Sequence, residues 1–214
     1  LNQNVAACQP KILSYNEPNR FEYAGASGGF VDFLGYPFCR GRILNVTEFD
    51  EGQYDDDCEV FWASGACMLV RSADFWSVGG FDSDFFAHME EIDLCWRLKN
   101  NGLSIWVVPQ SKVFHVGGGT LPNNNTFKVF LNHRNNLFML LKNLPQKKIL
   151  PVVLFRILLD ILSAVMYLLS GKFGFFAAVF KAHRAFFTSY RKNAGKRLNV
   201  SGSEKNLFSK SILF

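Results

Sequence analysis

The hydrophobic and polar positions divide the chain into a mixed front part and an apolar, helical back part. Val5–Leu13 (VAACQPKIL) reads as a short strand interrupted by Pro10. Residues 14–57, rich in Gly, Asn, Asp and aromatics, read as a long ordered loop, of a length that usually serves function. Val60–Arg71 is an apolar run around Gly65 and predicts a strand at the edge of a pocket. Ser72–Val78 predicts a short helix stopped by Gly79 and Gly80. Phe85–Asn101 has a helical period. It sets Met89, Ile92, Trp96 and Lys99 on one side and Glu90, Asp93, Leu94 and Arg97 on another, with Gly102 as the stop. Leu103–Val108 and Lys112–Val116 read as strands around Pro109, followed by a tight exposed turn at Gly117–Gly119. Phe127–Leu144 reads as an amphipathic helix closed by Pro145.

The back part changes character. Residues 149–169 (ILPVVLFRILLDILSAVMYLL) form a long apolar helix pattern broken by Arg156 and Asp160, which are four apart and able to pair. The length could cross a bilayer, but two charges inside it argue against a simple lipid-exposed span. A helix lying in the membrane interface fits better. Phe173–Phe187 then sets Phe and Ala beside Lys181, His183 and Arg184, which suits an interfacial helix. From Asn193 the chain is polar and reads as a flexible tail. The boundaries drawn are therefore 1–145, 146–192 and 193–214.

Charge sharpens this division. From Leu1 to Leu141 there are 10 Lys and Arg against 16 Asp and Glu; from Lys142 to Arg197 there are 11 against the single Asp160. An acidic front suits a polar substrate or a metal, and a basic back suits an anionic surface. The 23 phenylalanines, dense in the back part, favour lipid over nucleic acid, for which no motif is present. The five cysteines (Cys8, Cys39, Cys58, Cys67 and Cys95) form no CxxC pair, so a zinc site is not expected and a reduced, cytosolic setting is the simplest reading. Leu1–Leu13 lacks the charged start and apolar run of a signal peptide, and a chain opening on Leu is expected to be a fragment.

Candidate chemistry concentrates in Glu90, Glu91 and Asp93, with His115 some two dozen residues later. Three carboxylates at a helix start repel one another unless a helix N-terminus, a cation or Arg97 offsets them. Arg97 lies four residues after Asp93, so that pair reads as structural. Crowding and partial burial would raise the pKa of one glutamate, which suits a general base. His115, before three glycines, could offer a ring nitrogen to a metal where the backbone lets phosphate approach. Plainer readings stand beside these: a solvated helix start for the acids, and an ordinary hydrogen-bonded histidine for His115. Asp55–Asp57 reads as a solvated acidic turn rather than a metal-binding DxD, because no apolar strand precedes it.

Taken together, WASGACMLVRSADFWSVGGFDSDFFAHMEEIDLCWRLKNNG, VFHVGGGT and NHRNNLFMLLKN resemble glycosyltransferase family 2. They are most similar to bacterial members that build surface polysaccharides, rhamnosyltransferase-like enzymes among them. The resemblance runs from about Val5 to Leu144. It implies an α/β fold: the acceptor-side half of a GT-A (Rossmann-like) domain, followed by an α-helical membrane-associated tail. It implies that the nucleotide-binding half, with its DxD, lies outside this sequence, so that the fragment alone would be inactive. By position Glu91 takes the role of catalytic base, with Glu90 and Asp93 as rivals, since the family's usual Asp is here a Glu. Trp62, Ser64, Gly65 and Ala66 match the segment that lines the sugar pocket, and Arg97, Gly117 and Gly118 join the substrate-binding candidates. His115 matches a metal or diphosphate contact, and the implied cofactor is Mg²⁺ or Mn²⁺.

The expected activity is inverting transfer of a sugar from a nucleotide-sugar donor to the hydroxyl of a glycan or lipid-linked acceptor. The expected setting is the cytoplasmic face of a bacterial inner membrane, peripheral or shallowly inserted, with the membrane surface as a partner and no nucleic acid. The alternative is a non-catalytic, membrane-associated interaction module.

Overall fold

The computed structural model describes residues 3–117 and 125–198. At its centre is a four-stranded sheet in the order β6-β8-β1-β7. The strands are β1 (Val5–Ser14), β6 (Cys58–Val60), β7 (Leu69–Val70) and β8 (Ser104–His115). β1 and β8 run parallel, and β6 and β7 flank them antiparallel. The two strand segments expected around Pro109 are one strand. Pro10 pairs with Val108 and Lys11 already pairs with Lys112, so Pro109, Gln110 and Ser111 are looped out opposite a single step of β1. Neither proline can donate to the ladder, and a bulge at that level lets both strands continue past them.

The stretch read as a long loop carries a second antiparallel sheet of short strands. These are β2 (Gly29–Val31), β3 (Pro37–Cys39), β4 (Arg42–Ile43) and β5 (Val46–Thr47), in sequential order. Each strand is only two or three residues long, too short for a period-2 signal, which is why the pattern hid them. Asp55 and Asp56 in the acidic turn are ion-paired, with Lys11 and Arg40 respectively.

Helix α1 (Ser72–Ser77) ends at Gly79 and Gly80, both at positive φ, as the sequence predicts. The next helix, α2, spans Glu90–Asn100 rather than starting at Phe85. A 3₁₀ turn (Ser83–Phe85) comes first, and then Phe86, His88 and Met89 take left-handed φ values of 64°, 67° and 71°. Every α2 residue from Ile92 to Asn100 is buried, so both faces read from the sequence are covered. Trp96 packs edge-on against Phe61 at 5.2 Å between ring centres.

Helices α3 (Thr126–Asn143), α4 (Gln146–Leu169) and α5 (Phe173–Thr188) pack on one another, and α3 also touches α2. The apolar back part is therefore docked on the front part through α3, with Phe138 of α3 against Phe186 of α5 at 6.0 Å. Fully burying a side chain of this kind contributes roughly 1.5–3 kcal/mol. Arg156 and Asp160 of α4 both face inward. Asp160 meets His133 of α3 at 3.0 Å, His183 of α5 at 3.1 Å and Arg156 at 3.5 Å. The two charges that interrupt the apolar run thus tie three helices together. The outward face of α4 is apolar and exposed, with Leu150, Leu154, Leu158, Leu162, Met166 and Leu169. By length and composition α4 is the one helix among the described residues able to cross a membrane.

A last short helix, α6 (Tyr190–Ala194), leads into residues docked on the body, at the head of the stretch read as a polar tail. Asn193 is buried, Lys196 pairs with Asp82 and Asp84, and Arg197 donates to the carbonyls of Leu141 and Leu144. The tail beyond Leu198 lies outside the described residues.

Candidate active site

The candidate site lies where α2 begins. Glu90 and Glu91 occupy its first turn, capped by a left-handed Met89 with no side-chain cap. Carboxylates here face unpaired backbone N–H groups and the positive end of the helix dipole, which offsets part of their repulsion. Both side chains are half-buried, and one carboxylate oxygen of each, Oε2, is sealed from solvent with no hydrogen-bond partner. Burial, with the charge of Glu90 adding to it, pushes Glu91 up to about 7. Burial raises Glu90 as well. A carboxyl shifted in this way holds its proton less reluctantly near neutral pH, as a general base must.

Asp93 does not join the pair. It is fully buried on another side of α2 and takes hydrogen bonds from Arg97 (2.9 Å), Lys142 (2.8 Å) and Asn143 (2.8 Å). Arg97, a substrate-binding candidate, is consumed in this arrangement. Besides Asp93 it donates to the carbonyls of Val78 and Gly80 at 2.5 and 2.7 Å. The Asp93–Arg97 pair expected from the i, i+4 spacing is therefore present and structural. A polar cleft of about 270 Å³ lies beside it, lined by Gly80, Asp82, Arg97, Lys142 and Lys196 among others. Its three cations all pair with Asp82, Asp84 or Asp93.

The WASGA segment supplies the wall facing Glu91. Gly65 and Ala66 are exposed, and a methyl group added at Gly65 would stand 3.9 Å from Glu91 Cβ. Trp62 and Ser64 lie behind that surface. Trp62 is a core residue whose indole N–H donates to Phe30 O at 3.0 Å. Ser64 N donates to Gln9 Oε1 at 2.8 Å, and its hydroxyl donates to Ala24 O at 2.7 Å. A side chain at Gly25 would collide with Ser64, and Gly25 sits at φ +108°, so glycine is required there. Gln9, buried in β1, also donates to the carbonyls of Gly25 and Ala26 and locks the two loops together.

That lock continues to His115. Ala24 N donates to Glu22 Oε2, and the same oxygen lies 3.3 Å from His115 Nδ1 at the end of β8. A side chain at Gly117 would meet Glu22. Glu91, Gly65, Ser64, Glu22 and His115 are thus joined by a continuous chain of neighbours. Gly118 lies outside the described residues. The cation expected from the sequence does not fit the residues present here on their own. Among the described residues no group of three or more His, Cys, Asp or Glu side chains is arranged to hold a metal, and His115 with Glu22 supplies two at most.

Sequence reasoning missed Gln9, Glu22, His88 and Asn135. His88 Nε2, two residues before Glu90 in the chain, is a further sealed atom with no hydrogen-bond partner. Asn135 carries no periodic signal, although it lies in NHRNN, at the start of the NHRNNLFMLLKN stretch. The turn from Phe86 to Met89 holds three non-glycine residues in a conformation that costs of order 1–3 kcal/mol each, and such strain clusters at functional sites.

Parts of the chain are similar to bacterial rhamnosyltransferases and to an O-antigen biosynthesis protein. No family model matches the chain. It is 36% identical over 109 residues to rhamnosyltransferase WbbL of Escherichia coli, a match covering 50% of this chain and 39% of that protein. It is 46% identical over 88 residues to the N-acetylglucosaminyl-diphospho-decaprenol L-rhamnosyltransferase of Mycobacterium tuberculosis, covering 41% of this chain and 28% of that one. The O-antigen biosynthesis protein RfbC of Myxococcus xanthus matches at 31% over 99 residues, 44% of this chain and 7% of the relative. These matches bear out the resemblance to rhamnosyltransferase-like members of glycosyltransferase family 2. The chain spans about two fifths of the length of the first relative and less of the other two.

Proposed function

We propose that this chain is the acceptor side of an inverting, GT-A-type glycosyltransferase, with Glu91 as catalytic base. The observation that carries this is the burial of Glu91 at the mouth of α2, beside the exposed Gly65, with a carboxyl raised toward neutrality. Glu91 would take the proton as the acceptor O–H bond breaks. The freed oxygen pair would form a bond to the anomeric carbon, and the bond from that carbon to the diphosphate would break, its electrons leaving with the nucleoside diphosphate. The base need only be moderately strong, because the hydroxyl acidifies as the new bond forms. Gly65 and Ala66, both exposed, put no side chain larger than a methyl group on this wall. The names of the relatives favour rhamnose as donor sugar and a polyprenyl-diphosphate-linked sugar as acceptor. A divalent cation, Mg²⁺ or Mn²⁺, is kept as the donor diphosphate's partner, to which His115 could lend a ligand; no step above depends on it.

The helical back part would hold the site at the cytoplasmic face of the inner membrane. Support comes from the exposed apolar face of α4 and from an adjoining apolar cleft of about 350 Å³ lined by Phe33, Leu34, Pro151, Val152 and Phe155. With Arg156 and Asp160 turned inward, that face carries no buried charge into lipid. The full-length protein, given nucleotide-activated L-rhamnose and a polyprenyl-diphosphate-linked N-acetylglucosamine, should transfer the sugar, and Glu91→Gln should not while melting normally. Undiminished transfer by Glu91→Gln would remove the base assignment.

A further inference from the structure

We infer that Asn135 of α3 is a positioning residue for the catalytic carboxylate, fixing the strained turn from which α2 launches Glu91. The inference rests on the base reading above. Its side-chain amide nitrogen donates to the carbonyls of Phe85, Ala87 and His88 at 2.9, 2.8 and 2.8 Å. Those three oxygens converge on one point because Phe86 and His88 are left-handed, a conformation that residues with side chains rarely adopt. The amide is itself aimed. Arg134 Nε donates to Asn135 Oδ1 at 2.9 Å, which fixes which end of the amide is the donor, while Arg134 Nη2 donates to the carbonyls of Asp84 and Phe85.

Asn135 is fully buried and touches neither glutamate through a hydrogen bond. What it controls is the exit of the chain from the turn. Met89 follows directly, and its left-handed backbone starts the helix without a side-chain cap. Without the amide, the part-buried carbonyls of Ala87 and His88 lose this donor while Phe85 O keeps Arg134, and the cheapest remedy is for the turn to relax toward right-handed backbone. That relaxation would swing the first turn of α2 and move Glu91 away from Gly65. A displacement of about 1 Å at a reacting group can cost on the order of 100-fold in rate.

The test compares Asn135→Ala, Asn135→Gln and Glu91→Gln in the full-length protein, by transfer kinetics, pH profile and thermal melting. Asn135→Ala should lower kcat by about 10–100-fold with little change in KM for the nucleotide sugar. It should also move the acidic limb of kcat/KM to lower pH, because a loosened turn lets water reach the glutamates. Asn135→Gln keeps the donor and should recover part of kcat. Folded Asn135 variants with wild-type kcat and an unmoved acidic limb would overturn the inference, as would loss of cooperative melting in both, which would make Asn135 a residue of the fold alone. If Glu91→Gln is inactive while Asn135→Ala is normal, only the positioning role fails. Wild-type transfer by Glu91→Gln removes the base reading and this inference with it.

Discussion

Lys142 Nζ lies 2.8 Å from Asp93 Oδ2, with neither side chain open to solvent. The pair joins α3 to α2, and Arg97 and Asn143 complete the bonding of Asp93. Asp93→Asn keeps the shape but leaves buried Arg97 without its anion, while Lys142 keeps Asp82. Removing one partner of a buried ion pair costs roughly 3–5 kcal/mol. Thermal unfolding should show that loss, while transfer per folded molecule stays near wild type. A stable but inactive Asp93→Asn would return Asp93 to the list of bases.

Glu91 gives the opposite signature. Its carboxyl is raised from an ordinary 4.5 to about 7 by burial and by Glu90. Between these values the folded protein keeps a proton that the unfolded chain has lost. The stabilising contribution is therefore complete below pH 4.5 and disappears as pH rises through about 7. Activity runs the other way, rising through the same region as the base ionises. Glu91→Gln should flatten the fall in melting temperature across that window and cost about 10²–10⁴-fold in transfer. A melting curve with the same pH slope in wild type and variant would contradict the assignment.

Asp160 should matter to stability alone. Asp160→Ala leaves Arg156, His133 and His183 facing one another in the helical interior, at a cost of roughly 3–5 kcal/mol. His133→Ala and His183→Ala share one carboxylate, so their losses should not add in a double-mutant cycle followed by denaturant unfolding. Strict additivity would mean that the two histidines act apart.

The outer face of α4 should be dispensable for folding and needed for lipid. Leu158 and Leu162 are about half exposed, at 51% and 54%. Replacing both with Glu should leave melting unchanged and abolish co-flotation with vesicles containing anionic lipid. Co-flotation that survives the double substitution but vanishes in high salt would assign the attachment to the basic residues instead.

Much of the helical half was legible because its signals are local. Gly79-Gly80 stops α1, Gly102 follows α2, Pro145 closes α3, and the Arg156–Asp160 spacing foretold a pair that is present. Helical periodicity puts the start of α2 at Phe85, five residues early, because Phe86, His88 and Met89 are left-handed in a turn whose carbonyls bond to Asn135, some fifty residues away. The short strands β2–β5 left no periodic trace, and the partners of Asp93 come from another helix.

By itself the sequence determined which residue types could do chemistry here, where most helices stop, and that an acidic front adjoins a basic, apolar back. Spacing of three or four residues fixes what shares a helix face, and nothing more distant. Only the tertiary structure decided that Glu91 stands beside Gly65 while Asp93, two residues on, is spent on Lys142. It also decided that the charges of α4 turn inward. Burial and partner choice depend on which elements pack together, and at those distances the chain carries no local record of the answer.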